Sequence, residues 1–194
     1  MSITEFRKPQ AQVDRLFVER WSPRAFSSRA LEEDRIATLF EAARWSPSSF
    51  NLQPWLFLYE TIGGAARADF EAVMVPLNRE WASKAPLLVL ALSERDEKDV
   101  TAVSSRATFD SGAAWMALAL QARTLGLYSH AMGGIDRDAA HERLSIPREK
   151  YSVNCMIAVG HLGDPSDLPD KLRENEKPSE RKDLAAVARC GRFS

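Results

Sequence analysis

The chain has 194 residues, which is long enough for one domain to bury a core without disulfide or metal staples. Its 26 basic and 27 acidic side chains give a net charge of −1, which argues against a protein that binds nucleic acid by charge alone. The content of 45% hydrophobic and 27% charged residues is typical of a folded globular protein and not of a disordered chain.

Hydrophobic periodicity predicts nine elements followed by a polar tail. In chain order these are helix 10–19, helix 31–45, strand 55–59, helix 65–75, strand 87–92, helix 109–124, strand 127–132, helix 136–144 and strand 153–159, with a short helix at 184–188 in the tail. The helix over 31–45 is the clearest, because apolar residues recur at helical spacing from Ile36 to Ala43. Four strands interspersed with helices indicate a layered domain with α and β structure.

Two of these elements carry more information than the others. The strand over 87–92 is apolar on both faces, which predicts a central position in the sheet. The helix over 109–124 is rich in Ala and Leu and apolar nearly all round. Such a helix is buried, either in the core of its own domain or in an interface between subunits, and the pattern leaves both alternatives open.

Several function classes lose support because their motifs are absent. The sequence has no phosphate-binding P-loop, no GxGxxG after a strand, no GxSxG and no HExxH. The three histidines lack the spacing of a zinc site, so no metal is expected. No run of about 18 apolar residues is free of charge, and the N-terminus lacks the apolar region of a signal peptide. A cytoplasmic protein without a membrane partner is expected.

The first positive signal is the segment 20–24, in which Arg20 and Arg24 flank the hydroxyl of Ser22 at the end of a predicted helix. Guanidinium forks match phosphate oxygens and stay charged in any site. The alternative is a solvated helix end whose arginines pair with Glu19 or Glu32.

The second signal is the segment 47–55, which joins a predicted helix to a strand. Two prolines stiffen it, and its two serines, Asn51 and Gln53 provide hydrogen-bond donors and acceptors. A planar heteroaromatic ligand is recognised through such groups. The alternative is a turn in which the serines and the asparagine only satisfy the backbone.

Together the two segments resemble the nitroreductase family of FMN-dependent oxidoreductases, and the resemblance extends over nearly the whole chain. The most specific match is the helix–loop–strand stretch LFEAARWSPSSFNLQPWLF, and ERWSPRAF is similar to the N-terminal flavin-phosphate motif. Further matching stretches follow in the expected order: LNREWASKAPLLVLAL, FDSGAAWMALALQARTLGL, HAMGGID, IAVGHLGDP and EKPSERKDL.

The resemblance implies which residues contact the FMN phosphate and ribityl chain. Arg20 and Ser22 are expected to bind this end of FMN, with Trp21 contributing its backbone. Arg24 is expected near the pyrimidine edge of the isoalloxazine ring. Arg181, in the tail, is expected to close the phosphate site.

The remaining residues implied by the resemblance surround the ring. Ser48, Ser49 and Asn51 of the loop are expected to come from the other subunit, and Pro47 of the same loop is also expected to bind the cofactor. Asn78 is expected beside the ring, and the backbone of Gly133 and Gly134 near N5. Two positions depart from the family pattern. Trp81 stands where some relatives have a lysine near the flavin, and Leu52 occupies a loop position that is often polar. These departures concern redox potential and acceptor preference.

The resemblance also implies an architecture and an activity. The fold is expected to be α+β with three layers, a central mixed and mostly antiparallel sheet flanked by helices. One domain over 1–194 is expected to form an intertwined homodimer in which 164–194 wraps on the partner. The expected activity transfers a hydride from NAD(P)H to FMN and then reduces a nitroaromatic, quinone or enone acceptor by a ping-pong mechanism. The flavin carries the chemistry, so no catalytic side chain is expected.

Two alternatives to this activity stay open. Within enzymes, the alternative is a flavin-consuming or dehalogenating relative. Outside enzymes, it is a non-catalytic flavin-binding or regulatory dimer, because a fold does not determine a function.

Overall fold

A four-stranded sheet forms the centre of the structure, a computed structural model that describes residues 3–95 and 105–192. The strands are β1 (Trp55–Thr61), β2 (Leu87–Glu94), β3 (Tyr128–Met132) and β4 (Tyr151–Gly160). The helices are α1 (Ile3–Phe6), α2 (Arg15–Glu19), α3 (Glu33–Arg44), α4 (Arg67–Ala72), α5 (Pro76–Ala82), α6 (Ser105–Thr124), α7 (Arg137–Arg143), α8 (Asp170–Arg173) and α9 (Leu184–Val187). Short 3-10 helices lie at Ser49–Asn51 and Pro165–Asp167.

The strand order is β1-β2-β4-β3, and every pairing among the described strands is antiparallel. The expected mixed sheet is therefore antiparallel throughout this part of the chain. As predicted, β2 is central, and its residues from Leu87 to Ser93 are buried. A register shift between Ala91 and Leu92 interrupts its pairing with β4. Strands β1 and β3 form the two edges.

Helices cover both faces of the sheet, which confirms the three-layer α+β architecture. On one face, α3 packs against α6, and the contact includes Leu39 of α3 and Ala114, Leu118 and Ala122 of α6. The four-residue spacing in α6 places these three side chains on one side of the helix. Most of the opposite side is only partly covered, and Phe109 is 79% exposed.

The other face carries α4, α5 and α7. Phe70, Trp81 and Ala140 of these helices pack over Leu88 and Leu90 of β2. Helix α5, which begins at Pro76, was not predicted from the sequence. Proline fits the first position of a helix, where its missing N–H group has no partner to lose.

Two predicted helices are shorter in the structure. The helix predicted over 10–19 begins only at Arg15, where the side chain of Asp14 caps it by accepting a hydrogen bond from the Leu16 N–H at 2.8 Å. The helix predicted over 65–75 ends at Ala72, and the Val75 N–H donates to the Gly134 carbonyl at 3.1 Å. None of the helices in the described ranges is long and apolar enough to cross a membrane.

The C-terminal segment folds against the N-terminal segment of the same chain. The Gln10 side chain donates to Asp183 at 2.8 Å and accepts from the Leu184 N–H at 2.6 Å. A cavity of about 740 Å³ lies between residues 6–18 and 180–187. The wrapping of 164–194 on a partner subunit stays a prediction.

Candidate functional site

The segment 20–24 leaves α2 and runs beside edge strand β3. The Trp21 ring packs edge-on against Tyr128 at 6.1 Å between ring centroids. The Pro23 carbonyl accepts a hydrogen bond of 2.8 Å from Nδ1 of His130, two residues further along β3. These contacts give the predicted phosphate motif a fixed position at the β3 edge of the sheet.

The chain after this motif is attached to the end of β4. Phe26 and Leu162 form an isolated antiparallel bridge. A Cβ atom at Gly163 would lie 2.6 Å from the Phe26 backbone, so only glycine permits this close approach. The motif is thus held on both sides, by β3 and by the chain that follows β4.

Glu176 determines the direction of the backbone at Arg24. Its carboxylate accepts hydrogen bonds from the Arg24 N–H at 2.8 and 3.1 Å and from the Ala25 N–H at 2.9 Å. Because the carboxylate of Glu176 accepts from these two amides, it makes no ion pair with the guanidinium of Arg24. Within the described ranges, no carboxylate oxygen lies within 4.0 Å of that guanidinium.

Three guanidiniums gather next to this motif. Burial, together with the smaller effects of the nearby charges of Arg181 and Arg20, lowers the pKa of Arg7 to about 10. Burial likewise lowers the pKa of Arg20, and Arg181 contributes to that shift. None of the three pairs with a carboxylate in the part of the chain that the structure describes. We call Arg7, Arg20 and Arg181 the arginine cluster; its uncompensated positive charge is suited to an anion.

Ser22 belongs to the same neighbourhood, since its hydroxyl accepts a hydrogen bond of 3.4 Å from Arg20. Arg20, Trp21, Ser22 and Arg24 are neighbours in the sequence, and the fold places Arg181 near Arg20. Arg181 donates to the Ser179 hydroxyl at 3.0 Å and is otherwise exposed.

A second group of predicted residues meets where β3 ends. The Asn78 side chain donates to the Gly134 carbonyl at 3.0 Å. A Cβ at Gly134 would lie 2.6 Å from Asn78 Nδ2 and 3.0 Å from the Val75 side chain, so position 134 is closed to larger residues. A Cβ at Gly133 would meet no atom within 4 Å. The backbone at Gly133 therefore faces open space.

The residue predicted to alter the redox chemistry, Trp81, is a core residue. It is 2% exposed and stacks on Phe26, with 6.2 Å between ring centroids. Its other neighbour is the His130 ring at 4.7 Å. Trp81 therefore supports the chain that follows the phosphate motif and brings no charge to it.

His130 lies beside the phosphate motif, and its pKa is lowered to about 4. Burial is the main cause, the hydrogen bond to Pro23 opposes it, and the charges of Arg24 and Arg20 add to the lowering. The ring is therefore neutral at pH 7. Since the Pro23 carbonyl accepts from Nδ1, the proton of the neutral ring is on Nδ1.

The loop 47–53 has an unusual backbone. Phe50, Asn51 and Gln53 have φ values of 52°, 57° and 50°, in the left-handed region that side chains other than glycine rarely adopt. Phe50 is 88% exposed and Leu52 is 59% exposed. Strained residues cluster at functional sites, where surrounding contacts maintain them.

Few contacts hold this loop within one chain. The Ser49 N–H donates to the carboxylate of Asp110 at 3.0 Å, and Asp110 is nearly buried on α6. The Ser48 hydroxyl accepts from the Gln53 N–H at 2.9 Å. Pro47 and Asn51 are exposed. Ser48 and Ser49 therefore have defined positions, and the remaining loop surface faces outward.

The two predicted halves of the site lie at opposite corners of the sheet in one chain. The loop leads into β1, and the phosphate motif lies beside β3. Three strand spacings of about 4.8 Å separate these two edges of the sheet. Trp55 of β1 pairs with Ser93 of β2, whereas Tyr128 of β3 pairs with Gly160 of β4, whose neighbour Val159 pairs with Leu87 of β2. The loop and the phosphate motif are therefore also offset along the strands by about six residues of β2, or about 20 Å.

Three residues that matter to this geometry escaped the sequence analysis: Arg7, Asp110 and Glu176. Arg7 lies in a polar N-terminal stretch without a motif, and Glu176 is 152 residues from its partner Arg24. Asp110 interrupts the apolar pattern of α6, and that break was the only available signal. The described residues include no group of three or more metal-ligating side chains placed to hold an ion. Burial raises the pKa of the Cys155 thiol to about 11, so it is not a nucleophile at neutral pH.

Comparison with known families gives one matching description, the Nitroreductase family, over residues 17–161. The matched range contains every residue of the predicted site except Arg181, and Arg7 also lies outside it.

Three similar proteins are informative. A solved structure of an oxidoreductase containing FMN is 40% identical, with a TM-score of 0.90 over 97% of this chain and 96% of that chain. An uncharacterized 15.4 kDa protein of Mycolicibacterium smegmatis is 32% identical over 139 residues, 69% of this chain and 90% of the relative. A Rhodopseudomonas palustris protein with the provisional name NADH dehydrogenase/NAD(P)H nitroreductase is 24% identical over 178 residues, 82% of this chain and 89% of the relative.

Proposed function

The chain belongs to the nitroreductase family, and from this premise we propose that it is an FMN-dependent oxidoreductase that works as a homodimer. In this proposal it takes a hydride from NADH or NADPH and then reduces a nitroaromatic, quinone or enone acceptor by a ping-pong mechanism. The FMN in the solved relative and the NAD(P)H nitroreductase name of another relative support it. A cytoplasmic location goes with this proposal.

The observation that carries the proposal is the arginine cluster. Burial lowers the pKa of Arg20, and the nearby charge of Arg181 lowers it as well. No described carboxylate compensates the two positive charges. A phosphate monoester is a dianion whose oxygens accept several N–H groups at once, and guanidinium forks match it. The donor set therefore fits the phosphate of FMN, with the Ser22 hydroxyl as a further partner.

The residues beyond the phosphate fit the ring. Asn78 donates a hydrogen bond to the Gly134 carbonyl, and a Cβ added at Gly133 would meet no described atom within 4 Å, so this backbone is accessible to a ligand. Arg24, whose backbone is fixed by Glu176, is the cation available to favour negative charge on a reduced ring. When bound, FMN supplies the hydride and electron chemistry, so the protein residues need only bind, orient and tune it.

A second copy of the chain is proposed to complete the site. Within one chain the loop 47–53 and the arginine cluster are at opposite corners of the sheet. The loop exposes Phe50 and Leu52, and α6 exposes Phe109 on a side that the chain itself does not cover. Contact between two copies would bury these apolar groups and bring the loop of one copy to the arginines of the other.

Anaerobic reduction of the purified protein tests the function. We expect a yellow protein whose flavin absorbance bleaches with NADH or NADPH under nitrogen and returns when a nitroaromatic or a quinone is added. A yellow protein that neither nicotinamide bleaches would instead be the non-catalytic flavin-binding dimer. A colourless protein that takes up no added FMN would overturn both.

A further inference from the structure

Arg7 connects three parts of the chain through a single buried guanidinium. It donates to the Val18 carbonyl at 2.8 Å, to the Arg20 carbonyl at 2.5 Å and to the Ser179 carbonyl at 3.0 Å. Its exposed fraction is only 8%. The end of α2, the phosphate motif and the C-terminal segment therefore share one donor.

The charge on Arg7 has no carboxylate partner among the described residues, and its nearest charged neighbours are Arg20 and Arg181. A buried cation beside two others is unfavourable, because like charges repel and burial removes water. The three carbonyls offset only part of this cost. An anion between the arginines would offset the rest, and the same anion would stabilise the segment that carries Arg181.

The hydrogen bonds of residues 179–187 to other parts of the described chain are exposed, apart from the Arg7 bond. Gln10 contacts Asp183 and Leu184 at the surface. Arg7 and Arg181 both line the cavity of about 740 Å³ between the two segments, so an anion can reach them from solvent. Glu176 and the buried Pro178 anchor the chain just before this segment, and the Arg7 bond, next to the proposed phosphate site, then positions the segment itself.

We propose that Arg7 is a positioning residue that couples docking of the C-terminal segment 179–187 to binding of the flavin phosphate. The inference rests on the proposed function, since FMN supplies the phosphate. Arg7 holds the carbonyls of Arg20 and Ser179, and thereby places Arg20 and Arg181 on one anion. Phosphate binding then favours the docked segment, and a docked segment favours phosphate binding.

Comparing FMN with riboflavin, which has the same ring without the phosphate, isolates this coupling. In Arg7→Gln we expect the affinity for FMN to fall about tenfold, while the affinity for riboflavin stays the same. The matched control is Arg15→Gln, which removes an exposed guanidinium that pairs with Glu19, and it should change neither affinity. Arg7→Lys keeps the positive charge but not the forked guanidinium, so its affinity for FMN should lie between those of Arg7→Gln and the wild type.

Trypsin provides a second measurement, because Lys182 is exposed within the segment 179–187. We expect FMN, but not riboflavin, to slow cleavage after Lys182 in the wild type, and neither flavin to slow it in Arg7→Gln. Equal losses of FMN and riboflavin affinity in Arg7→Gln, or wild-type cleavage unaffected by FMN, would overturn the coupling. A wild type that binds neither flavin would overturn the proposed function itself.

Discussion

The arginine side of the candidate site and the loop side are stabilised by different means. On the arginine side, buried or half-buried groups hold the backbone: Arg7, Glu176 and His130 each bond to main-chain atoms of residues 18–25. On the loop side, the backbone is strained at Phe50 and its neighbours, and much of the loop faces outward. The first region is formed within one chain, whereas the second lacks a surface to pack against.

This difference indicates which parts of the site depend on assembly. A strained, exposed loop costs free energy that contacts elsewhere must offset, and one chain provides little besides the Asp110 bond. We therefore expect substitutions on the arginine side to act through ligand charge, and substitutions in the loop to act through the partner subunit.

The strongest test mixes two inactive variants. Arg20→Glu should prevent FMN binding because a carboxylate faces the phosphate, and Ser49→Trp should prevent it because the indole blocks the ring. If each site combines the arginine side of one copy with the loop of the other, a heterodimer has one site with both lesions and one with none. It should regain up to half of the wild-type flavin.

The measurement is flavin content and nitroarene reduction in the isolated, doubly tagged heterodimer. If both halves came from one chain, every site would keep one lesion. No recovery in a heterodimer whose size is verified by light scattering would disprove the shared site.

On the arginine side, His130 should make the stability depend on pH. Its pKa is about 4 in the folded chain and about 6.5 in an unfolded chain, so between these pH values the unfolded chain binds a proton that the folded chain does not. The free energy of unfolding should therefore fall by about 3 kcal/mol as the pH drops from 6.5 to 4.

Urea unfolding at pH 7 and pH 4.5 measures this loss. His130→Asn, whose amide can still donate to the Pro23 carbonyl, should show a smaller difference between the two pH values. An unchanged difference would mean that another group causes the pH dependence.

Arg20→Ala should weaken FMN binding more than folding. Hydrogen bonds to charged groups contribute roughly 1.5–3 kcal/mol, so the FMN affinity should fall about tenfold to a hundredfold. Flavin titration measures this, with Arg29→Ala as a control at an exposed arginine near the same segment. Equal FMN affinity in wild type and Arg20→Ala would remove Arg20 from the site.

The smallest expected effect concerns Arg24. Because Trp81 is buried and uncharged, Arg24→Leu removes the remaining cation expected at the pyrimidine edge and should lower the midpoint potential of bound FMN. A shift of about 30 mV corresponds to about 1.4 kcal/mol for a two-electron couple. A redox titration that shows no shift, or a rise, would contradict this role.

The sequence predicts all four strands, most clearly the central β2, which has apolar residues on both faces. It is less successful where a single contact decides the outcome. Asp14 shortens the first predicted helix through one capping bond, and Pro76 begins a helix that was not predicted from the sequence.

The site divides in the same way. The motif around Arg20 and the loop around Ser49 are contiguous in sequence and therefore recognisable. Arg7 and Glu176 bond to main-chain atoms of distant residues, and a main-chain partner leaves no trace in side-chain patterns. These contacts become visible only when the fold brings residues more than 150 positions apart together.

The neighbouring glycines at the end of β3, Gly133 and Gly134, differ in how easily a larger side chain can replace them. At position 134 an added methyl group would collide with Asn78, so variants there would disturb the scaffold. At position 133 it would enter empty space. A graded series of Gly133→Ala, Gly133→Val and Gly133→Leu would therefore probe how wide the space beside that backbone is, with little effect on the fold that surrounds it.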